Sequence, residues 1–132
     1  MPNTFFTTLF AVPALAALSV PLAAQPSPGV RGPIPVGVYE CDSPQMIGGM
    51  VMPSPSTGHM FGVFGPGSYR DFDGGRGAFT FSGGILTMTS GPLKGIRYRR
   101  EAERLFYPLN EKGERGAIRC VLNRAKSLKG RW

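Results

Sequence analysis

The chain has 132 residues, with 15 Lys and Arg against 8 Asp and Glu for a formal net charge of +7. A length of this order holds one domain and excludes two. Its single His excludes a His-rich metal centre, and its two Cys lack the CxxC spacing of a metal or redox pair.

Residues 1–24 contain no Lys, Arg, Asp or Glu, and residues 5–20 are apolar apart from Thr7, Thr8 and Ser19. Pro21-Leu22-Ala23-Ala24 follows, so the segment has the apolar core and small-residue ending of a secretory signal. An uncleaved anchor is the rival reading, since about 20 apolar residues span a bilayer. Pro13, Pro21 and the small residues before Gln25 favour cleavage after Ala24, with no transmembrane segment left behind. The expected location is periplasmic or secreted. No Cys stands at the cleavage point to carry a lipid.

Residues 25–35 (QPSPGVRGPIP) read as a Pro-rich, extended linker. Residues 36–122 read as a β-rich domain and residues 123–132 as a basic tail. Short apolar runs separated by Gly and Pro predict strands over 36–41, 59–64, 78–81, 85–89, 96–100, 105–109 and 117–122. Alternation assigns their faces: Tyr39 with Cys41, Phe79 with Phe81, Leu86 with Met88, Ile96 with Tyr98, and Ile118 with Cys120 and Leu122. Residues 46–52 have the composition for a helical turn, at the cost that Gly48 and Gly49 impose. Elsewhere no window has a period of 3.6 residues.

In an oxidising compartment Cys41 and Cys120 are expected to form a disulfide. Bridged Cα atoms lie about 5.5 Å apart, so the first and last strands must be neighbours. The expected fold is therefore all-β: a small antiparallel barrel of about seven or eight strands closed by one disulfide. A β-sandwich with those two strands packed together is the alternative.

No enzyme signature emerges. His59 has no activated nucleophile around it, and its apolar strand-like run suits a structural role. Asp71 and Asp73 precede Gly74 and Gly75, but a calcium loop would need ligands where Gly75 and Ser82 stand. Asp-Gly-Gly is turn chemistry instead. No catalytic residue, metal or cofactor is expected.

Charge is unevenly placed. Residues 92–132 carry twelve Lys and Arg against four Glu, whereas residues 25–91 carry three Arg against four acids. The most distinctive stretch, residues 90–100 (SGPLKGIRYRR), combines a tight turn, a projecting Lys94, and Arg97 and Arg99 on one strand face with Arg100 on the other. Such a loop can offer Lys94 and a hydroxyl to an acidic cleft through charge-assisted hydrogen bonds. Ser90, Lys94, Arg97, Tyr98, Arg99 and Lys112 are the candidate binding residues. The bland alternative is a hairpin loop beside an exposed basic strand. The tail ends in Trp132, a residue suited to an anionic interface.

Tyr39-Glu40-Cys41-Asp42, the late Cys120, Ser90-Gly91 followed by Arg97-Tyr98, and Glu111-Lys112-Gly113-Glu114 together resemble the periplasmic inhibitors of C-type lysozyme. The resemblance implies an exported eight-stranded barrel with one disulfide, in which Ser90 and Lys112 would enter the lysozyme cleft. Charge orders the readings, because a basic inhibitor loses electrostatic steering toward a basic enzyme. The leading expectation is an exported, non-enzymatic binding protein of the cell envelope or exterior. Its basic loop and strand face would meet an unknown protein or an anionic envelope surface, and no nucleic acid is expected. Lysozyme inhibition is one alternative. A calycin-like carrier, with Phe79, Phe81, Leu86 and Met88 around an apolar ligand, is the other.

Overall fold

The computed structural model describes residues 30–126 and residue 11. The expected signal over residues 1–24 (save that one residue), the start of the linker and residues 127–132 of the tail lie outside the described residues. Nine strands follow one another: β1 Gly37–Ile47, β2 Met50–Pro55, β3 Phe61–Gly65, β4 Ser68–Asp71, β5 Arg76–Ser82, β6 Ile85–Met88, β7 Arg97–Ala102, β8 Leu105–Leu109 and β9 Arg119–Asn123. A 3₁₀ turn, Thr57–His59, separates β2 from β3. Among the described residues no helix is long and apolar enough to cross a membrane.

The strands pair antiparallel in chain order, and β9 returns to pair with β1. The result is a closed eight-stranded barrel, β1 and β3 to β9, with β2 as an extra strand. Closure rules out the sandwich. β1 is long enough to hold three neighbours: β9 along residues 38–42 on one edge, and β3 along residues 37–39 on the other. On that second edge β2 pairs with residues 42–47, of which 43–47 lie beyond the reach of β9. Cys41 and Cys120 face each other in the β1–β9 register and are bonded. The bridge thus fastens the seam of the barrel.

Two expectations are corrected. Residues 46–52 form no helical turn: Gly48 and Gly49, at φ +58° and +80°, make the two-residue turn between β1 and β2. The strand expected over 59–64 begins only at Phe61, because His59 closes the 3₁₀ turn.

Alternate residues of each strand point inward. Tyr39, Phe61, Tyr98 and Phe106 fill the middle of the barrel. Tyr39 stacks on Phe61 at 4.8 Å between ring centroids, Tyr98 lies 4.9 Å from Phe61, and Phe106 meets Tyr39 edge-on at 5.3 Å. Leu86, Met88, Val63 and Phe79 complete the packing. Each buried tyrosine sends its hydroxyl to a barrel end, as an aromatic with a polar tip should. Tyr98 donates to the carbonyl of His59 at 2.8 Å, Tyr69 to that of Ser90 at 2.7 Å, and Tyr39 to that of Pro35 at 2.8 Å. Burial pushes the Tyr39 phenol up to about 12 and drives that of Tyr98 higher still.

The upper end of the barrel is the one at which β1 leaves it, at Asp42. At the lower end Arg100 is 2% exposed. Its guanidinium donates to the carbonyls of Gly32 at 2.8 Å, Pro33 at 3.1 Å and Glu103 at 2.9 Å. Part of the expected linker therefore belongs to the folded body, with Ile34 packed against the core.

Candidate functional site

Strand direction decides which loops meet. The upper end gathers the β1–β2 hairpin, the 3₁₀ turn, the β4–β5 loop at residues 72–75, the β6–β7 loop at 89–96 and the β8–β9 loop at 110–118. Of the residues singled out from sequence, Ser90, Lys94 and Lys112 lie in these loops, and Arg97 starts the strand between them.

The β6–β7 loop is bound down along its length. Ser90 Oγ accepts from the amide of Ala78 at 2.9 Å. The Tyr69 hydroxyl accepts from the amide of Leu93 at 2.9 Å while donating to Ser90. Gly95 donates to Met88 at 2.9 Å, and Gly91 and Gly95 take φ of +83° and +92°, which suit only glycine here. Gly77 makes room beneath the loop, since a Cβ there would strike the Tyr69 ring and the Ser90 carbonyl. Leu93 is buried, and Lys94 stands exposed at the tip.

The β8–β9 loop is equally well tied. Asn110 Oδ1 accepts from the amides of Lys112 at 3.0 Å and Glu114 at 2.9 Å. Arg97 donates to the Asn110 carbonyl at 3.3 Å, and Arg99 to that of Gly113 at 3.2 Å. These two arginines brace the loop from the neighbouring strand, and Arg99 remains exposed. Lys112 is exposed. Neither Lys94 nor Lys112 has an ion-pair partner among the described residues. Tyr98 is fully buried and serves the core.

Three further titratable groups at this end, His59, Asp71 and Asp42, have partners. His59 is half-buried, its Nδ1 2.8 Å from Ser56 Oγ, and burial lowers its pKa. Asp71 closes the β4–β5 loop by accepting from the amide of Gly75 at 2.6 Å. Arg119 pairs with Asp42 at 3.4 Å. At the lower end Glu40 accepts from Asn123 at 2.6 Å and pairs with Lys126, which hold its carboxyl below the usual range.

The chain matches no family model, no curated protein and no solved structure. Site residues therefore rest on geometry alone.

Sequence reasoning missed the β1–β2 hairpin. Its apolar side chains contact no core residue pattern that alternation can detect, because both faces are exposed. The signal available was Gly48-Gly49 between two apolar runs, a hairpin cue. Of the residues proposed to line an internal cavity, Leu86 and Met88 are fully packed. Phe79 and Phe81 border an open apolar recess of about 390 Å³ at the lower end, shared with Pro33, Ile34, Val36 and Pro66.

Proposed function

We propose that this protein is an exported, non-enzymatic binding module of the cell envelope or exterior, which meets its partner with the upper end of the barrel. One observation carries the reading: two loops, fixed by side-chain and backbone hydrogen bonds, hold the unpaired cations Lys94 and Lys112 at the same end. Rigid presentation lowers the ordering cost of binding, which is what a recognition surface needs. The Cys41–Cys120 bond supports an oxidising compartment.

Inhibition of C-type lysozyme is the second reading. Ser90 and Lys112, which the resemblance marks, belong to loops of the same barrel end, and the disulfide joins the Tyr39-Glu40-Cys41 strand to Cys120. A carrier role draws no support from an interior filled by Tyr39, Phe61, Tyr98 and Phe106.

The test is capture of the oxidised chain from Gln25 onward by immobilised lysozymes, anionic polysaccharide and anionic vesicles. Saturable lysozyme binding lost in Lys112→Ala would select the inhibitor reading. Binding only to anionic surfaces, weakened by Lys94→Ala and Lys112→Ala by about 1 kcal/mol per cation, would select a charged-surface partner. Binding that neither substitution alters would remove the upper loops from the function.

A further inference from the structure

Residues 43–58 carry no Asp, Glu, Lys, Arg or His, and their centre reads Met46-Ile47-Gly48-Gly49-Met50-Val51-Met52. This segment stands clear of the barrel as a two-stranded ribbon. Beyond Asp42, β1 has only β2 as a neighbour. The register opposes Met46 to Val51, Ile47 to Met50 and Gln45 to Met52. Opposed residues share a face, so Met46 and Val51 point one way and Ile47, Met50 and Met52 the other. Both faces are exposed, Met46 at 72% and Met50 and Val51 at 66% each. A flat protein surface would cover one face and leave the other in water. Only surroundings that enclose the ribbon cover both.

The backbone is adapted to the same end. A two-residue turn makes Ile47 and Met50 the closing hydrogen-bonded pair, and the ladder then alternates. The outward-facing positions are therefore residues 42, 44, 46, 51, 53 and 55, of which Pro44, Pro53 and Pro55 lack an N–H. These prolines deny another chain the donors it would need to extend the sheet. From the Gln45–Met52 pair to the turn is three residues, or about 10 Å at ~3.3 Å each. Interfacial elements sink about 5–10 Å into the boundary of headgroup and acyl chain, so the lengths agree. Behind the apolar tip come Gln45 and the opposed Ser43 and Ser54, then the upper loops with Lys94 and Lys112.

We propose that the hairpin of residues 46–52 is a membrane finger, seating its apolar tip in the interface of a bilayer that contains anionic lipid while Lys94 and Lys112 face the lipid phosphates. The proposal rests on the reading of the upper end as the working end. Glu111 and Glu114 flank Lys112, so burial of the tip carries most of the attraction and the salt dependence is shallow.

The test uses the chain from Gln25 onward, which holds every strand and core residue of the barrel, sedimented with two vesicle types. One is phosphatidylcholine alone, the other equal parts phosphatidylcholine and phosphatidylglycerol. The double substitution Ile47→Ser and Met50→Ser is expected to lower binding to the mixed vesicles by roughly tenfold or more, leaving the thermal transition unchanged. Both side chains are exposed, so loss of fold does not enter. Met50→Trp in a Trp132→Phe background should show blue-shifted emission with vesicles and quenching by lipids brominated on the acyl chain. Unchanged vesicle binding in the double variant, absence of binding to both vesicles, or an introduced indole that stays unquenched would each overturn the finger. Self-association abolished by the double variant, without vesicle binding, would overturn it in favour of a second copy. The two readings fail separately. Lysozyme or polysaccharide capture that survives the hairpin substitutions while lipid binding is never seen removes the finger alone. Quenching by lipid with no effect of Lys94→Ala or Lys112→Ala on any binding removes the loops alone.

Discussion

Arg100 is charged yet buried, and no carboxylate among the described residues pairs with it. Its planar fork is instead shared among three backbone carbonyls, from Gly32, Pro33 and Glu103, with Phe81 at 5.4 Å and Phe106 at 5.8 Å from the guanidinium carbon. Two of those carbonyls lie on the segment that precedes β1, so one side chain fastens the N-terminal segment across the lower end. Arg100→Met keeps much of the stem but strips the donors. It should destabilise the barrel by about 3 kcal/mol in urea unfolding. Arg100→Lys should recover only part of this, since a point charge does not fit three fixed acceptors.

His59 gives the barrel a pH dependence of definite sign. Burial lowers its pKa below 6.5, so the fold favours the neutral imidazole. Its contribution is fully present above pH 6.5, where the unfolded His is also neutral, and is lost as pH falls below that value through the folded pKa. Unfolding titrations between neutral and mildly acidic pH should show this loss, and His59→Gln should flatten it. Glu40 contributes separately. Held below 4.5 by Lys126 and Asn123, it supplies stability that disappears only as pH falls beneath that value.

Among the elements, β1 organises the molecule because it is the one strand that touches β2, β3 and β9. Its seam with β9 joins the beginning and end of the barrel, and the disulfide there spans a sequence separation of 79. Closing so long a loop restricts the unfolded chain by roughly 4 kcal/mol in the chain-entropy model. Cys41→Ala with Cys120→Ala should lower stability by that order in urea unfolding. Hydrogen exchange should then rise first along β1 and β9, where pairing depends on closure.

Strands with one buried face were legible. Leu86 and Met88 against Thr87, and Tyr98 against Arg97 and Arg99, alternate as read from sequence. Two strands were not legible, for different reasons. β4 is four residues long with only Tyr69 buried, so its polar residues resemble a turn. β2 has no buried residue, and a ribbon apolar on both sides has no alternation to find. Arg97 and Arg99, candidate binding residues by sequence, also donate to the carbonyls of a loop some fourteen residues on, a contact that alternation cannot reveal.

At the scale of the whole molecule, a meander keeps sequence neighbours adjacent in space. The cation-rich stretch over residues 92–123 therefore becomes one wall, β7 to β9, with Arg97 and Arg99 on β7 and Arg119 on β9, on either side of β8. Charge segregated along the chain is thus segregated on the surface. Capture by an anionic polysaccharide should weaken as ionic strength rises and the Debye length shrinks from about 10 Å at 0.1 M to about 3 Å at 1 M. Insensitivity to salt in the same assay would mean that the basic wall takes no part.

The sequence by itself determined the β class, the faces of most strands and the proximity of the first strand to the last. Period-two alternation and turn residues are local, and the paired cysteines form a single long-range restraint. Only the tertiary structure decided that Arg100 is buried, that Ser90 is held by Tyr69 and Ala78, and that the hairpin stands outside the barrel. Each depends on which residues closure brings together, and the bond from Arg100 to Gly32 spans 68 positions. Local pattern carries no information on such a contact, because the geometry that creates it exists only once the seam has closed.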